Sequence, residues 1–99
     1  MLTITAVIRA KKGEEAALRR ALLEVADNVR ANEPDTVGFF ISQDLEDPCV
    51  FTTYERFTDR AAMDRHNGSA VVARFFGIGR PLLDGAVTLV TSSEISAKG

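Results

Sequence analysis

The 99-residue chain has no tryptophan, and histidine, cysteine and tyrosine occur once each, as His66, Cys49 and Tyr54. A lone cysteine forms no internal disulfide, and one histidine with one cysteine falls short of the ligands a zinc site takes, so no metal is expected. Charge of one sign is also missing: 12 basic residues face 14 acidic ones, and a net charge of -2 gives no long-range pull on phosphate backbones. Nucleic acid is therefore not an expected partner. No apolar run approaches the roughly 20 residues that span a bilayer, and the N-terminal MLTITAVIRAKKG alternates polar and apolar residues instead of building a signal core. The cytoplasm is the expected compartment, without membrane association. The GIG at Gly77 to Gly79 lacks the third glycine and the preceding strand of a dinucleotide fingerprint.

The residues present are those of an ordinary globular chain. Hydrophobic residues make up 45% and charged residues 26%, which sets aside disordered, collagen-like and coiled-coil classes. Residues 1–99 read as a single domain, with an ordered core over 1–95 and a tail over 96–99. Leu2, Ile4, Ala6 and Ile8 alternate with Thr3, Thr5, Val7 and Arg9, the period of a strand with one apolar face. After Gly13, the stretch Glu14 to Ala31 places Leu18, Leu22, Val25 and Val29 at helical spacing, and Pro34 ends that helix. VGFFISQDL and CVFTTYERF then read as two strands of an antiparallel hairpin across an acidic turn. Thr58 and Asp59 are N-cap types for a short helix through His66. Gly68 and Ser69 interrupt it, a second helical segment carries Val71, Val72, Phe75 and Phe76, and GIGRP is expected to end that segment. AVTLVTSSEI is the last strand.

Strand, helix, strand, strand, broken helix, strand is the split βαβ order of an α+β, ferredoxin-like fold: a four-stranded antiparallel sheet with helices on one face. The other sheet face would carry Val7 and some of Phe39, Phe40, Val50 and Val90, too apolar to remain as one patch in water. Packing sheet against sheet in a two-fold homodimer would cover it.

The residues able to do chemistry concentrate between Asp47 and Phe76. His66 suits a general base or hydrogen-bond donor because its unperturbed pKa lies near 6.5, and it reads equally well as a helix-end histidine bonded to a backbone carbonyl. Tyr54 and Glu55 are adjacent on one strand, so they face apart and only one can enter a given pocket. Arg74 stands beside Phe75 and Phe76, where it would hold an anionic ligand or simply be solvated. Phe39, Phe51, Phe75 and Phe76 are core residues that can also wall a pocket.

EPDTVGFF, DLEDPCVFTTYERFTDRAAMDRHNGSAV and PLLDGAV together resemble the antibiotic biosynthesis monooxygenase family over nearly the whole chain. The Glu33-Pro34 and Asp47-Pro48 pairs, Tyr54-Glu55, Ala62, His66 and Pro81-Leu82-Leu83 carry the resemblance. It implies a dimeric α+β barrel that binds a small-molecule substrate and, with no cofactor, oxidises an aromatic, phenolic or quinol compound with dioxygen. His66 and Tyr54 would be the catalytic pair, and Phe39, Phe51, Arg74, Phe75 and Phe76 the substrate-binding residues. An isomerase of a small carbonyl compound using the same pocket, or a non-catalytic binding dimer, would fit the same residues.

Overall fold

The computed structural model describes residues 1–99. The chain runs β1 (Leu2–Arg9), α1 (Glu15–Asn32), β2 (Thr36–Gln43), β3 (Val50–Phe57), α2 (Arg60–Asn67), α3 (Ala70–Gly79), a 3-10 turn at Arg80–Leu82 and β4 (Thr88–Ser93). The strands form one antiparallel sheet in the order β2-β3-β1-β4, the ferredoxin-like arrangement.

The helices cover a single face, and strand parity decides what they cover. From β1 the covered set is Ile4, Ala6 and Ile8, and in register with these lie Glu55, Thr53 and Phe51 of β3. On α1 the apolar stripe Leu18, Ala21, Leu22, Val25 and Val29 is buried and joins Ile8, Phe51 and Phe75 in the larger core cluster. A smaller cluster, Ile4, Phe57, Ala62 and Met63, lies under α2. No helix is long and apolar enough to cross a membrane.

Two short helices follow the strand pair because two side chains cap them. Asp59 accepts from the Ala62 amide at 2.8 Å at the start of α2, and Ser69 accepts from the Val72 amide at 3.3 Å at the start of α3. The Ser69 hydroxyl also donates to the His66 carbonyl at 2.7 Å, which anchors the last turn of α2 where His66 sits. The helix α3 ends within GIGRP as the sequence suggests, at Gly79. The 3-10 turn containing Pro81 follows directly at Arg80. The last strand is shorter than its apolar pattern predicts, starting at Thr88.

A bulge at Val37 sets the phase of β2. Thr36 pairs with Phe57, but Gly38 pairs with Arg56, so Phe39 stands opposite Glu55 on the covered face and Phe40 opposite Tyr54 on the open one. At Gly38 a Cβ would lie 2.9 Å from the Phe40 ring and 3.3 Å from Arg56, so a larger residue would displace those side chains. Of the residues assigned from sequence to the open face, Phe39 thus belongs to the helix side. Phe40 remains 57% exposed beside Tyr54, on the face that also carries the exposed Val7 and Val90.

Candidate functional site

Pro34 forces the residue before it out of the helical region, so Glu33 caps α1 with φ -123° and ψ 77°. A carboxylate at a helix C-terminus opposes the helix dipole and calls for a partner. Its partner is His66, whose Nδ1 lies 2.8 Å from Glu33 Oε1. The Thr36 hydroxyl donates to the same oxygen at 2.9 Å, and Asn28 Nδ2 donates to Oε2 at 3.3 Å. On the other side of the imidazole, Nε2 lies 3.2 Å from Glu55 Oε1, while Glu55 Oε2 accepts from the Thr53 hydroxyl at 2.8 Å. His66 is only 4% exposed, and the Phe39 and Phe57 rings flank it with centroids 5.6 and 5.4 Å away.

The two carboxylates approach opposite edges of the ring, so the three side chains do not form a metal-binding group. Since an ionised carboxylate only accepts, Nδ1 donates to Glu33, and a proton on Nε2 makes the ring an imidazolium between two anions. Burial by itself would lower the His66 pKa. Hydrogen bonds and charge from Glu55 and Glu33 outweigh it and hold the pKa above the usual value. Position in the last turn of α2 favours the cation too.

A pKa raised on folding gives stability that is complete below the unfolded value, about 6.5, and is lost as pH rises through the folded value. Urea midpoints are therefore expected to be highest below about pH 6.5 and to fall above it, with the fall absent in His66→Gln. As His66 is the only histidine, a flat wild-type profile between pH 6 and 9 would contradict the ion-pair assignment.

Beside Glu55 and His66 lies an apolar cavity. Ile4, Ala6, Ile8, Leu22, Phe39 and Phe75 supply walls, and Thr53, Glu55, His66 and Asn67 are its polar groups. The cavity volume is about 70 Å³, and it opens to solvent next to the more exposed Phe76 and Leu89. A larger recess of about 630 Å³ lies at the Glu33 side, but Asn28, Asn32, Asp35, Thr36, Arg65 and Ser69 make it polar and open. Apolar ligands favour the smaller cavity, because it removes their surface from water.

The structure brings together His66, Phe39, Phe75 and Phe76 among the residues singled out from sequence. Three others lie elsewhere. Tyr54 is on the opposite sheet face, since β3 alternates and Glu55 takes the inward position; its hydroxyl bonds to Glu94, which also receives Arg56 Nη2 at 2.8 Å. Phe51, 1% exposed, belongs to the core beneath α1 and does not line the cavity. Arg74 reaches outward to Glu24 at 2.7 Å. Glu33, Thr53 and Glu55 are the site residues that the sequence reading did not place. A signal for Glu55 existed: it shares the parity of Phe51 and Phe57, two large apolar residues that must face inward.

Residues 1–77 match the family model described as antibiotic biosynthesis monooxygenase. The chain belongs to this family. Several solved structures reproduce the fold over almost the full length. PA3566 from Pseudomonas aeruginosa is 28% identical, with a TM-score of 0.86, 96% of this chain and 94% of that chain covered. A Nitrosomonas europaea protein, described as a candidate antibiotic biosynthesis monooxygenase, is 20% identical with a TM-score of 0.88, covering 97% of this chain and all of that chain. Rv0793 from Mycobacterium tuberculosis is 18% identical with a TM-score of 0.89, and 99% and 98% of the two chains are covered. Among curated proteins none matches this chain. Antibiotic biosynthesis monooxygenase membership accounts for the fold, within which this chain places the Glu33-His66-Glu55 trio.

Proposed function

We propose that the chain is a monooxygenase that oxidises a small aromatic, phenolic or quinol compound with dioxygen in the cavity beside Glu55, working without metal or flavin. One observation carries the reading: a buried carboxylate, backed by the His66 imidazole, opens onto a mainly apolar cavity. Glu55 is the base. It takes a proton from the substrate, leaving an electron-rich anion able to reduce dioxygen. His66 Nε2 is the donor that steadies the negative charge as it develops. For an anthrone-like substrate the balance closes without another reductant: the methylene becomes a carbonyl, one oxygen atom is retained, and the other leaves as water.

The cavity's 70 Å³ is below the roughly 150 Å³ that holds a benzene ring. An aromatic substrate therefore uses the open mouth as well, and Phe76 and Leu89 there are the residues with room to move. Oxygen uptake with a panel of quinols and anthrones tests the reading. Turnover of at least one supports it, and proton exchange from a ketone without oxygen uptake would favour an isomerase instead.

The second part of the proposal is a homodimer formed sheet to sheet, in a cytoplasmic setting. The open face carries Phe40 stacked on Tyr54, with centroids 6.5 Å apart, and the exposed Val7 and Val90. Burying such a patch removes its apolar surface from water. Sedimentation at micromolar concentration is expected to give a dimer for the wild type and a monomer for Phe40→Glu; a wild-type monomer contradicts it.

A further inference from the structure

Two compartments approach His66 from opposite sides, and no residue lines both. The apolar cavity reaches the imidazole at Glu55, whereas the polar recess reaches it at Glu33. The Phe39 and Phe57 rings pack against the imidazole, which carries a carboxylate on each nitrogen. The two carboxylates also differ in access. The Glu33 side chain keeps 15% of its surface exposed and borders about 630 Å³ of open recess, while the Glu55 side chain keeps 9% and borders the small cavity.

We propose that Glu33 is the proton port of the buried histidine: protons reach and leave His66 through Nδ1, Glu33 and the solvent of the recess, while Nε2 and Glu55 face the smaller, mainly apolar cavity. The inference concerns proton traffic in the protein itself, so it stands or falls independently of what the cavity oxidises.

Charge explains what such a port does. With His66 protonated and both glutamates ionised, the trio carries one net negative charge. When Glu55 takes up a proton from the cavity, His66 releases its Nδ1 proton to Glu33, and Glu33 releases it to solvent. One proton has entered and one has left. Glu55 and His66 are then both neutral, Glu33 is again a carboxylate, and the net charge is unchanged. The reverse sequence returns the proton from Glu55 to the cavity. The other charged groups at the recess, Arg65 and Asp35, are paired with one another at 2.8 Å and leave Glu33 as the carboxylate on the ring.

The unique histidine makes the test direct. In protein labelled with 15N-histidine, both ring N–H signals belong to His66, and their exchange with water is measured by NMR at neutral pH. Nδ1–H is expected to exchange roughly ten-fold faster than Nε2–H, as protection follows access to solvent. In Glu33→Gln, which keeps the shape but cannot carry the proton, Nδ1–H exchange slows by a similar factor, and Glu33→Asp recovers part of it. If Glu33 only braced the ring, losing its charge would lower the imidazole pKa and free the N–H, and exchange would accelerate. Acceleration in Glu33→Gln overturns the proposal. So does Nε2–H exchanging as fast as Nδ1–H in the wild type, a result that needs no variant to fold. No substrate enters either measurement, so an inactive protein and a wrong port give different results.

Discussion

Replacing Glu55 with glutamine is expected to lower the rate of oxygen uptake by roughly 10²–10⁴-fold, the usual contribution of a positioned general base. The substitution keeps the side-chain shape and leaves an oxygen able to accept from Thr53, whose hydroxyl lies 2.8 Å away. What is lost is the ability to take the substrate proton, so the loss belongs in kcat, with KM changing little. His66→Ala is a poorer probe, because removing the cation between Glu33 and Glu55 leaves two carboxylates largely buried with no counter-charge. Its inactivity would not separate chemistry from folding. A Glu55→Gln protein that consumes oxygen with a quinol or anthrone as fast as the wild type would remove Glu55 from the mechanism.

Phe51→Ala is expected to cost about 3–5 kcal/mol of unfolding free energy. Phe51 is 1% exposed and packs in the main cluster with the apolar stripe of α1, so truncation leaves a cavity that neighbouring strands, held in register on both sides of β1 and β3, cannot close. A chain of this size has on the order of 5–15 kcal/mol in total, and the variant should be close to unfolding at ambient temperature. Urea denaturation measures it directly. A loss below about 1 kcal/mol would mean that the site collapses around the missing ring, contrary to the packing seen here.

The contrast between Phe51 and Phe39 shows how the sequence could mislead about a site. Both are strand phenylalanines and both read as core with a secondary role as pocket wall. Phe51 is central under α1, while Phe39 lies opposite Glu55 at the edge of the buried region, against His66. Nothing in local composition separates them; position in the sheet does. Arg74 is a similar case: its neighbours Phe75 and Phe76 border the cavity, and helical rotation sends the arginine itself to Glu24.

Periodicity in the chain alone determined the element order and the ferredoxin-like α+β sheet, because strand and helix repeats are local and the breaks at Pro34, Gly68 and the acidic hairpin turn are chemical. The quoted motifs also carried the antibiotic biosynthesis monooxygenase resemblance that the family match over residues 1–77 shows. Local pattern further established that Tyr54 and Glu55 face apart, but not which one turns inward. Tertiary structure decided that. It aligned Glu55 with Ile4 on the covered face through the β1–β3 register, and the bulge at Val37 brought Phe39 to the same side. It also carried Glu33 from the end of α1, 33 residues away in sequence, to 2.8 Å from His66. Such a pair has no periodic signature, since it depends on how α1 and α2 pack across the sheet, and only the folded chain holds that information.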